Sequence, residues 1–246
     1  MNLLTAKALV KAKLPFIYLL YQSGREHFVP AIFRRIYREN HWGDPWSVSG
    51  PGSSLAATEY IRKEISQLIH DLELRTILDI PCGDHLWINY VTLGACKYIG
   101  ADIVEELVKR NSQRYASKDK QFLVLDITKA PLPRADLVLC RDCLVHLSFK
   151  AISRALRNIK SSGSKYILTT TFTNRATNDD TRTGGWRVLN LNAEPFNFPQ
   201  PILVINENCK EGGGVWRDKS LGLWLVDSMP TMKVSDDGPC GPHRRR

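Results

Sequence analysis

A chain of 246 residues with 43% hydrophobic and 24% charged residues has a globular composition, which excludes disorder or collagen-like repetition as a description of the whole. At this length a folded chain buries roughly three-quarters of the surface its unfolded form exposes, enough for a sizeable core. The 34 Lys and Arg exceed the 25 Asp and Glu, a net charge of +9 that favours anionic partners. The excess is spread along the chain without a compact basic and aromatic stripe, so nucleic acid is disfavoured as a partner.

Residues 1–25 carry Lys7, Lys11, Lys13 and Arg25 and no acid. The apolar run from Leu14 to Tyr21 is shorter than the about twenty residues a bilayer needs. A basic helical segment packed on the main domain is expected, with weak membrane-surface contact as the alternative, in a soluble cytoplasmic protein. The turn-rich stretch 42–53 then connects two helical patterns, so residues 1–54 are expected to form an N-terminal helical segment and lid.

From Leu55 to Leu72 apolar residues recur at helical spacing, with Ser53 or Ser54 as N-cap. Short apolar runs follow at 76–80, 98–102, 122–126, 135–140 and 165–172. Amphipathic stretches separate them, one holding Val104, Leu107 and Val108 and another Ile152, Ala155, Leu156 and Ile159, with Gly163 as a stop. Two more runs, 202–205 and 221–226, read as a hairpin completing the sheet. The pattern predicts a doubly wound α/β fold over residues 55–234, with helices on both faces of a mostly parallel sheet. Residues 235–246 read as a disordered tail.

Six cysteines are too few for a disulfide scaffold. Cys140 and Cys143 end an apolar strand and read as small packed residues rather than a zinc or redox pair, and no metal site is expected.

The chemistry gathers at the strand ends, where doubly wound sheets bind ligands. Asp79 lies in the first run, Asp102 and Asp126 end the second and third, and Asp142 follows the fourth by two residues. Clustered carboxylates repel one another and need a ligand or donors to hold them together. The turn Pro81-Cys82-Gly83-Asp84 lets a ligand approach the backbone at its glycine. Asp102, about twenty residues on, suits ribose hydroxyls, and Asp126 suits an adenine amino group.

The runs Ile77 to Asp84, Tyr98 to Ile103 and Asp136 through Leu147 resemble the motifs of the class I S-adenosylmethionine-dependent methyltransferases. The resemblance covers residues 55–172 and implies a seven-stranded Rossmann-like sheet and S-adenosyl-L-methionine as cofactor. It assigns Asp79, Pro81, Cys82, Gly83 and Asp84 to the cofactor turn, Asp102 and Ile103 to the ribose side, and Asp126 and Ile127 to the adenine side, with Arg141 nearby. The family turn usually carries three alternating glycines; here Pro81 and His85 stand at the outer two. A nucleoside without pyrophosphate tolerates that loss, and a dinucleotide does not.

Nucleobase amino-methylating relatives often carry Asn-Pro-Pro-Tyr-like residues after the fourth strand, where this chain reads Cys140 to His146. Transfer to an oxygen or nitrogen of a small-molecule or sugar-like acceptor is therefore expected. His146 is the candidate general base and Asp142, four residues before it, the group that orients it if the segment is helical. Trp42, Trp46 and Ser49 of the connector, with Trp186, Arg187 and Asn190 of the late polar segment, are the candidate acceptor walls. An RNA or protein methyltransferase, and a non-catalytic cofactor-binding module suggested by the single glycine, are the competing readings.

Overall fold

The computed structural model of the protein describes residues 29–231. The expectations for residues 1–25 and for the 235–246 tail lie outside the described residues.

Seven strands form one sheet: β1 (Thr76–Asp79), β2 (Lys97–Asp102), β3 (Lys120–Val124), β4 (Leu137–Cys140), β5 (Tyr166–Phe172), β6 (Leu203–Asn206) and β7 (Lys219–Leu225). Their order is β3-β2-β1-β4-β5-β7-β6. The first five run parallel, and β7 inserts antiparallel between β5 and β6. Among the described residues four α-helices accompany them: α1 (Val29–Arg38), α2 (Glu59–Asp71), α3 (Glu105–Tyr115) and α4 (Phe149–Ser161).

Alternation along the strands splits the core between two faces. Ile77, Leu137, Leu139 and Leu168 pack with Ile61, Ile65 and Leu68 of α2. Leu78, Val138 and Ile167 point the other way and pack with Ile152, Leu156 and Ile159 of α4. Both faces being covered explains why the parallel strands read as continuous apolar runs.

Helix ends follow local chemistry. Ser148 caps α4, its hydroxyl accepting from the Ala151 amide at 3.2 Å, and Gly163 takes a left-handed φ of 67° just past the end. Helix α2 begins at Glu59, later than the predicted Leu55, because Ser54 closes a separate turn by accepting from the Ala57 amide.

Strand order reverses between β1 and β4: β2 and β3 lie to one side, β5 onward to the other. The crevice beyond the carboxyl ends of these strands is where an open α/β sheet places its ligand.

Candidate functional site

A cleft opens at that reversal, lined by the ends of β1, β2 and β4, by the connector after α1 and by α1 itself. Its empty space is about 1070 Å³ including the part open to solvent. Asp79, Asp102, Asp126 and Asp142 all reach its wall, as do Pro81, Cys82, Gly83, Asp84, Ile103, Ile127, Arg141 and His146.

The turn after β1 is built around Gly83, at φ 52°. Its amide donates to Asp102 Oδ2 at 3.1 Å, and the Val104 amide donates to Oδ1 at 2.9 Å. Asp102 therefore ties the turn to the start of α3 while keeping one lone pair on each oxygen for a ligand. Burial raises its pKa to about 6 despite those two donors. A Cβ on Gly83 would lie 2.2 Å from Ser49 Oγ, so this position demands glycine because the connector crosses it.

Asp84 holds that connector. Its Oδ2 accepts from the Ser47 hydroxyl at 2.8 Å and the Val48 amide at 3.1 Å, its Oδ1 accepts from the Leu86 amide, and its own amide donates to Ser49 Oγ at 3.1 Å. Its carboxylate is thus committed to protein partners, although the residue lines the cleft.

Asp126 offers more. Its Oδ1 accepts from both the amide and hydroxyl of Thr128, while the buried Oδ2 has no hydrogen-bond partner and lies 4.0 Å from Lys129 Nζ. A buried acceptor without a donor calls for one. An exocyclic amino group placed between Ile103 and Ile127 would supply it. On this ground the residues fit an adenosine-bearing cofactor.

Beyond β4 the side chains form an ionic cluster. The Arg141 guanidinium donates to both Glu207 oxygens, at 2.6 and 3.3 Å, and to the Gly52 carbonyl at 2.8 Å. Lys219 Nζ donates to Asp142 Oδ2 at 2.7 Å and lies 3.4 Å from Glu207. Burial opposes ionisation of Asp142, but Lys219 and Arg141 outweigh it and hold the carboxyl well below its usual range. Glu207 and Lys219, from the ends of β6 and β7, carry no motif that marks them.

His146 is oriented differently from expectation. Asp142 sits at φ 51° in a tight turn, and Leu144–His146 form a single 3-10 turn, so the two residues share no α-helical face. His146 Nδ1 instead lies 2.7 Å from the Gly185 carbonyl oxygen. The acceptor there forces the proton onto Nδ1 and leaves Nε2 with its lone pair. Burial lowers the ring's pKa, more than Gly185 and Asp142 raise it. Trp42 packs on the imidazole with ring centroids 5.0 Å apart.

Four expected acceptor residues stand elsewhere. Arg187 is 8% exposed and spends its guanidinium on the carbonyls of Leu144, Leu147 and Asp179, bracing the 3-10 turn. Trp186 packs on Trp216 and Phe172, outside the cleft lining. Trp46 is 82% exposed and faces a separate groove beside Arg110 and Arg114. Asn190 bonds to the Arg175 carbonyl. The aromatic wall comes from α1, whose Phe33 and Tyr37 face the cleft. Arg34 and Arg38 anchor that helix to Glu106 of α3. Cys140 and Cys143 are buried free thiols.

Residues 77–163 match a family model described as a methyltransferase domain. Among solved structures, the 1,6-didemethyltoxoflavin-N1-methyltransferase of Burkholderia thailandensis, with 1,6-didemethyltoxoflavin and S-adenosylhomocysteine bound, aligns at 17% identity and a TM-score of 0.57. The alignment covers 81% of this chain and 89% of that one. The N-methyltransferase NodS of Bradyrhizobium japonicum aligns at 15% identity and TM-score 0.45, over 57% of this chain and 73% of that one. Human N-acetylserotonin methyltransferase aligns at 20% identity and TM-score 0.36, over 50% of this chain and only 43% of its own length. No curated protein matches the sequence significantly. Residues 77–163 thus form a methyltransferase domain, a kind of domain whose cofactor is S-adenosyl-L-methionine, and the Burkholderia thailandensis enzyme shares the fold of the chain. Among the described residues no helix is long and apolar enough to cross a membrane.

Proposed function

We propose that the protein transfers a methyl group to a hydroxyl oxygen of a small, flat or sugar-like acceptor. The observation that carries this reading is the His146–Gly185 hydrogen bond, which leaves a neutral imidazole with a free Nε2 lone pair on a residue that lines the cleft. A neutral hydroxyl is a poor nucleophile and gains from a base placed to take its proton; a neutral amine gains far less. Bound S-adenosylmethionine supplies an electrophilic methyl group on a good leaving group.

The chain's own residues do the rest. Asp102, Asp126, Ile103 and Ile127 hold the nucleoside, and the Pro81 to Gly83 turn holds the amino-acid end. Phe33, Tyr37 and Trp42 enclose the acceptor and exclude water, while His146 Nε2 accepts the hydroxyl proton as the new bond forms. Residues 29–54 act as the lid, and residues 55–231 as the described part of the catalytic domain.

The test is incubation of the purified protein with methyl-labelled S-adenosylmethionine and fractionated cell extract. Label in an O-methyl group of a small molecule supports the reading. Label confined to RNA, protein or N-methyl products overturns it, and binding of S-adenosylhomocysteine without any transfer points to a non-catalytic module.

A further inference from the structure

Behind the cofactor turn, three buried side chains form a chain of hydrogen bonds that the methyl-transfer reading does not use. Tyr98 on β2 donates its hydroxyl to Asp79 Oδ2 at 2.5 Å, and His85 Nδ1 lies 3.2 Å from the same phenol oxygen. The phenol has one proton, and it points to the carboxylate. His85 must then donate from Nδ1, leaving Nε2 as the buried ring nitrogen without a partner. Burial, aided by Lys120 on β3, lowers the imidazole's pKa to about 3, so it stays neutral. His85, at φ 59°, occupies the place where the resembled family's turn carries its last glycine. Packed against Tyr98, Tyr115 and Phe122, its ring fills space that a glycine would leave open.

Of the acids on the cleft wall, Asp126 has an open Oδ2 on the side read as the adenine end, and Asp79 ends β1 beside the Gly83 turn, where a cationic group at the amino-acid end would meet it. Asp84 accepts from Ser47, Val48 and Leu86. Asp142 is paired with Lys219 and Arg141. Asp102 holds two amides. Asp79 has the Tyr98 hydroxyl as its hydrogen-bond donor.

We propose that Tyr98, seated by His85, is a positioning residue that favours the anionic form of Asp79 and turns it to the ammonium group of the cofactor's methionine end. The inference rests on the reading that this cleft holds S-adenosylmethionine. The groups acting on Asp79 are Tyr98 and Asp102 of β2 and Arg141 after β4. Burial, the largest influence, and Asp102 favour the neutral acid; Tyr98 and Arg141 favour the anion, and the balance puts the group at about 7. Without the Tyr98 hydroxyl the carboxyl holds its proton to higher pH, and the attraction for an ammonium group fades near neutrality.

The experiment compares two ligands on wild type and Tyr98→Phe by calorimetry at about pH 6.5 and about pH 8.5. S-adenosylhomocysteine carries the ammonium group; 5′-methylthioadenosine lacks the whole amino-acid end. Tyr98→Phe should weaken S-adenosylhomocysteine by about tenfold or more at the lower pH and by less than about threefold at the higher, with 5′-methylthioadenosine unchanged at both. Equal losses for both ligands, or a pH-independent loss, would mean that Tyr98 only packs, and would overturn the inference alone. Wild-type protein that binds neither ligand overturns the cofactor reading beneath it. Should Tyr98→Phe not fold, Asp79→Asn carries the test. It must lose S-adenosylhomocysteine affinity and its pH dependence while keeping 5′-methylthioadenosine, and unchanged S-adenosylhomocysteine binding overturns the inference.

Discussion

His146 Nδ1 and the carbonyl oxygen of Gly185 are 2.7 Å apart across 39 residues of sequence. A carbonyl cannot donate, so the bond sets both the tautomer and the direction of the ring. It also depends on the loop that Arg187 fastens to Leu144 and Leu147. The polar segment after β5, whose tryptophan and arginine suggested an acceptor grip, serves instead as the scaffold that aims the candidate base.

Replacing His146 by Ala should lower turnover of a hydroxyl acceptor by about 100-fold or more, the usual worth of a positioned base. Affinity for S-adenosylhomocysteine should change little, because the contacts proposed for the adenosine are at Asp102 and Asp126. The wild-type rate should be flat from neutral pH upward and fall in acid, since the ring's pKa lies below its ordinary value and only the unprotonated form accepts a proton. Steady-state turnover against pH, run on the acceptor found by labelling, checks both. An unchanged rate in His146→Ala would remove the residue from the mechanism.

Glu207 supports the site from just past the end of β6. It is 4% exposed and accepts from Arg141 at 2.6 and 3.3 Å, with Lys219 at 3.4 Å. Removing one partner of a buried ion pair leaves the other charge uncompensated, at a cost of about 3–5 kcal/mol. Glu207→Ala should lose that much in urea denaturation. A loss below about 1 kcal/mol would show that Asp142 and the Gly52 carbonyl suffice for Arg141.

Much of this architecture was legible along the chain because each parallel strand is buried on both faces. Runs such as Leu137 to Cys140 are apolar throughout, and β1 to β5 fall within two residues of their expected bounds. The cleft's acids were legible because strand ends converge by topology, so Asp79 and Asp102 needed only their places in the pattern. Arg187 misled for a physical reason: an arginine in a polar loop looks free until the three carbonyls it serves are brought together by folding. Phe33 and Tyr37 went unnoticed because an amphipathic helix before a connector carries no mark of what it covers. Glu207 and Lys219 meet Arg141 only once β7 has inserted between β5 and β6.

The raised pKa of Asp79 has a consequence for stability. An unfolded aspartate titrates near about 3.9, while the folded protein holds the Asp79 proton up to about 7, chiefly through burial. Between those values the native state binds more protons than the unfolded one, so stability falls as pH rises through the window, by up to about 1.4 kcal/mol per pH unit. Asn at this position has no proton to lose. Asp79→Asn should therefore match wild type below about pH 4 and exceed it by a few kcal/mol at about pH 8, in urea titrations without cofactor. A shallower slope should persist in the variant, because Asp102 is shifted in the same direction, to about 6. Parallel stability curves for the two proteins across this range would show that Asp79 titrates near its ordinary value. Saturating S-adenosylhomocysteine should narrow the gap from the wild-type side, since a ligand that binds only the native state stabilises the protein that binds it more tightly.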